Sequence, residues 1–215
     1  MPKTLQEEYS DTIKRDGAVK FVGSYSMSDF HSHSNIHFKY LKEQGLQPHH
    51  KFLDVGCGAL RTGSTVIPYL QKGNYFGLDR MPELIEYGLN EVLQKETVFE
   101  KSPNISVNSH FNFSFVSCKV DYVWCQSLMS HLNEDDIKLC LNNIKSVCHS
   151  DTQIYFTYFQ MAGLEKNKRD ESHSKVDIMY DADVMDNIVK EVGLKKVFNG
   201  EIHHPRQQWM YICKV

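Results

Sequence analysis

The segment Leu53-Asp-Val-Gly-Cys-Gly58, followed by Ala59-Leu-Arg-Thr-Gly63, decides the fold. The apolar run 51–55 predicts a short buried strand, and the glycines directly after it predict a tight turn into a helix. A glycine turn between a strand and a helix lets the backbone approach a ligand closely, as cofactor-binding crossovers require. The sequence therefore predicts a βα unit with a ligand site at its turn.

Apolar runs and amphipathic stretches alternate along the chain on the C-terminal side of this unit. The predicted strands are 51–55, 75–79, 105–107, 120–125, 153–160, 195–198 and 208–214, and the predicted helices are 60–70, 82–93, 133–147 and 183–191. Regular alternation of this kind is typical of an α/β fold with a mostly parallel sheet. The last two strands predict a C-terminal antiparallel hairpin, joined through Glu201-Ile-His-His-Pro205.

Composition and charge narrow the classes of partner. The 215 residues include 24 basic and 27 acidic ones, for a formal net charge of -3, and no basic block stands out. We therefore expect no nucleic-acid partner. The polar N-terminus and the lack of a long apolar stretch predict no membrane segment and a cytoplasmic location. Six cysteines without a C-x-x-C pair give no sign of a zinc ribbon or a disulfide framework.

Two nucleotide-binding motifs fit the glycine turn poorly. A dinucleotide fingerprint G-x-G-x-x-G would place its third glycine at position 61, where the chain has Arg61. A phosphate-binding P-loop would need a lysine where the chain has Ser64. NAD, FAD and nucleoside triphosphates are therefore disfavoured. A tight bend without a ligand, with Asp79 capping the next helix, stays open as the simple alternative.

The turn resembles the first motif of the class I S-adenosylmethionine-dependent methyltransferase family, roughly D-x-G-C-G after an apolar strand. Further similarity to a small bacterial subgroup lies in Gly56-Cys-Gly-Ala-Leu-Arg61, Gly73-Asn-Tyr-Phe-Gly-Leu-Asp79, Gln126-Ser-Leu-Met-Ser-His-Leu132 and His204-Pro-Arg206. The resemblance implies a Rossmann-like methyltransferase fold with S-adenosylmethionine as the cofactor. The cofactor-binding residues that it implies are Asp54, Gly56, Cys57, Gly58, Arg61, Asp79, Arg80, Met81, Gln126 and Ser127.

Each group of these residues has an expected partner on the cofactor. Gly56 and Gly58 are expected beside the methionine part, whose amino group Asp54 would help to hold. An acidic residue at the end of the second strand, Asp79, can accept both ribose hydroxyls. Arg80 and Met81 would border the adenine. Gln126 and Ser127 directly follow the fourth strand, and ligands in such sheets lie beyond the carboxyl ends of the strands.

Three segments supply candidates for the acceptor side: His131, the hairpin residues His204 and Arg206, and the N-terminal residues Tyr25, His31 and His33. A histidine is the usual general base for a hydroxyl acceptor, and an arginine pairs well with an anionic one. His131 could instead bind the backbone beside Asn133, and the hairpin could be a rigid proline turn. The H-x-H pair lacks a third ligand, so no metal site is predicted.

These observations predict a lid or cap segment over residues 1–34 and a catalytic domain over residues 35–215. The expected activity is methyl transfer from S-adenosylmethionine to a hydroxyl or an amine of a small molecule or glycan precursor. The alternative is a catalytically silent subunit that only binds the cofactor. His110 stands where an acidic residue might be expected to contact adenine, and this departure keeps the alternative open.

Overall fold

A computed structural model describes residues 3–161, 172–173, 176–201 and 209–215. The chain divides into two compact units. The first is Met1–His50 with Cys57–Ser109, and the second is Lys51–Gly56 with His110–Val215. The chain passes from the second unit to the first within the glycine turn, between Gly56 and Cys57.

Strands and helices alternate through the described residues. The strands are β1 (Phe52–Val55), β2 (Tyr75–Asp79), β3 (Asn104–Val107), β4 (Val120–Cys125), β5 (Cys148–Gln160), β6 (Met179–Tyr180), β7 (Lys195–Glu201) and β8 (Trp209–Lys214). The helices are α1 (Leu5–Asp16), α2 (Ala18–Phe21), α3 (Met27–Glu43), α4 (Gly63–Tyr69), α5 (Pro82–Tyr87), α6 (Lys95–Lys101), α7 (Glu134–Lys145) and α8 (Ala182–Glu191).

The strand pairings give the α/β fold that the sequence predicts. In the first unit, β2 and β3 are parallel, with Asp79 opposite Val107. In the second unit, β1 pairs with β4 and β4 with β5, all parallel, whereas β8 is antiparallel to both β5 and β7. The predicted Rossmann-like fold with a C-terminal antiparallel hairpin is thus confirmed. The residues that join β7 to β8 lie outside the described ranges.

Several element boundaries differ from the prediction for local reasons. Helix α4 begins at Gly63 rather than Leu60, because Leu60 has a left-handed φ of 58° and belongs to the turn. The predicted helix 82–93 becomes α5 and a π-helical turn that starts at Gly88. Gly88 packs closely there, since a Cβ on it would lie 2.7 Å from Leu60 Cγ. Helices α1, α2 and α6 and strand β6 were not predicted, and α3 runs across the predicted boundary at residue 34.

In the first unit, the N-terminal helices share a core with the glycine turn and with the start of α5. Tyr9, Ile13 and Phe30 pack with Ala59, Met81 and Leu84 in one buried cluster. Helix α1 starts with a capping box, in which Thr4 and Glu7 each bind the other's backbone N–H. The N-terminal segment is therefore part of the folded body of this unit.

The thiols of the chain are mostly withdrawn from solvent. Five of the six cysteines are buried, and Cys118 is partly exposed. Burial raises the pKa of Cys148 to about 12. Within the described residues, no helix combines the length and apolar character that crossing a membrane needs.

Candidate functional site

Asp79, the last residue of β2, is tied to the glycine turn. Its Oδ2 accepts a hydrogen bond of 2.8 Å from the backbone N–H of Gly58, and its Oδ1 accepts one of 2.9 Å from Met81. Burial raises the pKa of Asp79, and the hydrogen bonds from Met81 and Gly58 oppose this rise. The backbone N–H of Arg80 adds a third hydrogen bond, and since a carboxylate has about four acceptor positions, capacity for a ligand remains.

Arg80 and Met81 follow Asp79 with different environments. The guanidinium of Arg80 lies over the Tyr9 ring, 5.4 Å from its centroid. Arg80 Nε is buried and has no hydrogen-bond partner among the described residues. Met81 is 1% exposed and belongs to the apolar cluster with Tyr9. Of these two side chains, Arg80 is therefore the one that has a polar group to offer a ligand.

Arg61 contacts the N-terminal segment. Its Nη1 donates to the backbone carbonyl of Val22 at 2.9 Å and to Ser24 Oγ at 3.3 Å. The glycine turn is also tied to β2, because the N–H of Cys57 donates to Leu78 O at 3.0 Å. The guanidinium thus connects the turn before α4 to residues that precede β1.

In the second unit, Asp54 and Gly56 lie at the end of β1. Asp54 is 2% exposed and pairs in register with Trp124 of β4. Gly56 has a left-handed φ of 75°, and a Cβ there would lie 3.2 Å from Leu128 Cδ1. Since β1 and β4 are parallel, the residues that follow both strands meet at one edge of this unit's sheet.

Gln126 and Ser127 follow β4 at that edge. Gln126 is 8% exposed, and its amide nitrogen lies 3.4 Å from Ser127 Oγ. Ser127 adopts a left-handed φ of 54°, which is strained for a residue with a side chain. Its N–H donates to Oγ1 of Thr157, a fully buried residue on β5. The turn after β4 is thus fixed by a hydroxyl from the neighbouring strand.

His131 binds the segment that leads into β6. Its Nδ1 lies 3.1 Å from the Val176 carbonyl oxygen and 3.7 Å from Asp177 Oδ1. Because a carbonyl only accepts, Nδ1 carries the proton, and Nε2 is the acceptor atom of the neutral ring. The His131 carbonyl also accepts from the N–H of His173 at 2.9 Å. The ring therefore contributes to holding this loop.

The N-terminal candidates differ in position and exposure around α3. Tyr25 precedes the helix and is 97% exposed, whereas His33 is 4% exposed and lies 3.5 Å from Asp29. His31 is exposed, and its ring contacts Phe30 edge to face. Residues two positions apart on a helix face different directions, so His31 and His33 do not converge. No group of three metal-ligating side chains occurs within the described ranges.

His204 and Arg206 lie outside the described residues, and their role on the acceptor side stays a prediction. The structure adds three features that sequence reasoning missed: the contact of Arg61 with Val22, the hydroxyl of Thr157, and a cleft beside His110. The cleft, of about 490 Å³, is lined in part by Phe113 and Asn143. Asn143 donates to the carbonyls of His110 and Phe111 at 3.4 and 3.1 Å.

Comparisons with known proteins agree with this architecture. Residues 53–154 match a family described as a methyltransferase domain. Magnesium protoporphyrin IX methyltransferase from Synechocystis PCC 6803, crystallised with bound SAM, superposes with a TM-score of 0.69 at 11% identity, over 99% of this chain and 98% of that one. A TehB-like SAM-dependent methyltransferase from Corynebacterium glutamicum is 17% identical, with a TM-score of 0.62 over 97% and 98% of the two chains.

A third similar structure is the glycopeptide N-methyltransferase MtfA, with a TM-score of 0.64 and 7% identity over 84% of this chain and 89% of that one. At such identities the superpositions describe the fold, and the domain match adds the chemistry. Residues 53–154 are therefore a methyltransferase domain, carried on the Rossmann-like α/β fold of S-adenosylmethionine-dependent methyltransferases.

Proposed function

We propose that this protein transfers a methyl group from S-adenosylmethionine to a hydroxyl or an amine of a small molecule or glycan precursor. We also propose that it belongs to the small bacterial subgroup with the G-C-G-x-L-R first motif, and that residues 1–34 form a cap for the catalytic domain. The observation that carries the proposal is the Asp79 carboxylate, held at the end of β2 by the backbone N–H groups of Gly58, Met81 and Arg80.

The ribose of the cofactor suits this carboxylate. Asp79 accepts from the backbone N–H groups of Gly58 and Met81, with a further hydrogen bond from that of Arg80, and its remaining acceptor capacity suits a ribose hydroxyl. Gly58 has a φ of 53°, which glycine adopts without steric strain, so the backbone can turn tightly beside Asp79. These features support a cofactor with a ribose close to the glycine turn.

Arg80 supports the adenine side of the proposal. Its Nε is a buried donor without a partner among the described residues, and such donors are rare in native proteins. A ring nitrogen or a ribose oxygen of the cofactor is a suitable acceptor. The stacking of the guanidinium on Tyr9 would fix the direction of this donor.

On the methionine side, we propose Asp54, Gly56, Cys57, Gln126 and Ser127 as contacts, as the sequence motif implies. A carboxylate at Asp54 suits the ammonium group of the cofactor. The left-handed Ser127, held by Thr157, is a backbone outlier of the kind that clusters at functional sites.

The chemical step is an in-line displacement on the sulfonium methyl. A lone pair of the acceptor oxygen or nitrogen forms the new bond to carbon, the carbon–sulfur bond breaks, and its electrons stay on sulfur. Orienting the acceptor and excluding water are the main contributions of the protein. For a hydroxyl acceptor, we propose that the proton passes to Nε2 of His131, whose Nδ1–H is already directed at Val176.

Isothermal titration tests the proposal. S-adenosylhomocysteine should bind the wild-type protein, whereas NAD and ATP should give no heat. Transfer of labelled methyl to a panel of hydroxyl, amine and glycan acceptors then identifies the acceptor class. Binding of NAD without binding of S-adenosylhomocysteine would overturn the proposal.

A further inference from the structure

Residues 17–24, which we call the strap, contact the glycine turn within the first unit. The strap contains the short helix α2 between Gly17 and Gly23, both with a left-handed φ, of 85° and 82°. Its own hydrogen bonds close it on itself, with the N–H of Ser24 donating to Val19 O at 3.1 Å. Glycine adopts these φ values without the steric strain that a side chain would cause.

Arg61 anchors the strap. Its side chain contacts both the Val22 carbonyl and Ser24 Oγ, and these two partners flank Gly23. Arg61 is 9% exposed and Ser24 is 1% exposed. A buried guanidinium needs its hydrogen bonds, so lifting the strap would leave a buried charge with fewer partners.

Val22 packs against Gly58 of the glycine turn. A Cβ on Gly58 would be 3.1 Å from Val22 Cγ1, which is tighter than ordinary van der Waals contact. The isopropyl group therefore packs on the missing side chain of Gly58. Gly58 also donates its N–H to Asp79, so Val22 covers the backbone next to the carboxylate proposed for the ribose.

We propose that the strap is a wall of the cofactor site, and that Arg61 is the positioning residue that holds it closed. This inference rests on the proposed function, since it assigns the wall to the same site. Val22 shields the cofactor beside Gly58, and the hydrogen bonds of Arg61 slow the release of the cofactor. The role differs from the direct cofactor contact that the sequence predicts for Arg61.

Limited proteolysis tests the anchor without an acceptor. Lys20 is an exposed residue in the middle of the strap, and trypsin cleavage after it can be followed by mass spectrometry. S-adenosylhomocysteine should protect Lys20 in the wild-type protein. In Arg61→Lys, which keeps the charge but loses the planar fork, this protection should be lost and cleavage without ligand should be faster. Arg15→Lys, at an exposed position of helix α1, is the matched control and should behave like wild type.

Binding kinetics supply the second measurement. Arg61→Lys should weaken binding of S-adenosylhomocysteine about fivefold, mostly through faster dissociation, because one hydrogen bond to a charged donor is lost. Val22→Ala keeps the backbone carbonyl that Arg61 contacts. It should speed dissociation without changing Lys20 cleavage in the free protein, and it provides the test if Arg61→Lys fails to fold.

The outcomes separate the two proposals. If wild type binds S-adenosylhomocysteine but both variants keep its affinity, dissociation rate and protection of Lys20, the strap is only part of the core and the inference is overturned. If wild type does not bind it, the proposed function itself fails. Loss of protection and faster dissociation in the variants, with normal behaviour of Arg15→Lys, supports the wall.

Discussion

The backbone N–H of Ser127 donates a hydrogen bond of 2.8 Å to Thr157 Oγ1, so a buried hydroxyl of β5 holds the strained turn after β4. Thr157→Val keeps the shape and removes the acceptor. We expect it to lower the free energy of unfolding by about 1–3 kcal/mol, because a partly buried N–H loses its partner. Urea denaturation measures this. Thr157→Ser retains the hydroxyl and should keep the affinity for S-adenosylhomocysteine, which Thr157→Val should reduce. Equal affinities would separate the turn from the cofactor.

A substitution of Ser127 itself should relieve backbone strain, whereas Thr157→Val should destabilise the protein. Its φ of 54° costs about 1 kcal/mol for a residue with a Cβ. Ser127→Gly should therefore leave the thermal midpoint unchanged or raise it, while it removes the hydroxyl proposed to contact the cofactor. Differential scanning calorimetry and ligand titration give the two readouts. A clear drop of the midpoint would show that the side chain stabilises the turn.

Gly56 and Gly73 form a matched pair that separates backbone strain from crowding. Their φ values are 75° and 74°, but only at Gly56 would a Cβ meet a neighbour, Leu128 Cδ1 at 3.2 Å. Gly73→Ala should lose about 1–2 kcal/mol from strain alone. Gly56→Ala should lose more, because Leu128 must also move. Equal losses in chemical denaturation would mean that Leu128 yields without cost.

Asp79→Asn tests the ribose contact. The amide retains the size of the side chain but loses the charge and one acceptor, so affinity for S-adenosylhomocysteine should fall by about 1.5–3 kcal/mol. Burial raises the pKa of Asp79, and protonation removes acceptor capacity. Affinity in wild type should therefore decline as the pH falls through a value above that of an ordinary aspartate. Calorimetry at several pH values checks this, and the variant should lack that decline.

Asp186 predicts a pH dependence of stability. Burial alone would raise the pKa of Asp186, but hydrogen bonds from Lys196, Tyr211 and Asn199 outweigh it and lower the pKa. The resulting stability is fully present above the unfolded pKa of about 3.9, and it is lost as the pH falls through the lower folded value.

Asp186→Asn should therefore lower the free energy of unfolding by about 1 kcal/mol at pH 7, a modest figure because the carboxylate is partly exposed. The difference from wild type should shrink at pH 3. The exposed Asp183→Asn on the same helix should change stability less at both values. A difference that is constant with pH would assign the effect to packing.

Local sequence patterns predict most of the strands and helices from β1 onward. The apolar run before Gly56 predicts β1, Pro82 marks the start of α5, and Asn133 caps α7 as expected. Helical geometry alone could also have separated His31 from His33, because positions two apart face different directions. These features depend on residues close in sequence, and their physical causes are local.

Contacts between distant segments could not be derived in this way. Arg61 meets Val22, 39 residues earlier, and Ser127 meets Thr157, 30 residues later. Nothing in either sequence neighbourhood specifies the partner, because chain topology brings them together. The left-handed φ of Leu60 is similar, since leucine has no preference for that conformation.

The burial of the thiols has a practical consequence for fluorescent labelling of this protein. Thiol reagents react with accessible thiolate, and five of the six cysteines are shielded, so Cys118 should be modified first. Cys118 precedes β4 in the second unit. A maleimide dye could therefore mark one defined position on the native chain without prior removal of other cysteines, and it would provide a fluorescent reporter for ligand titrations.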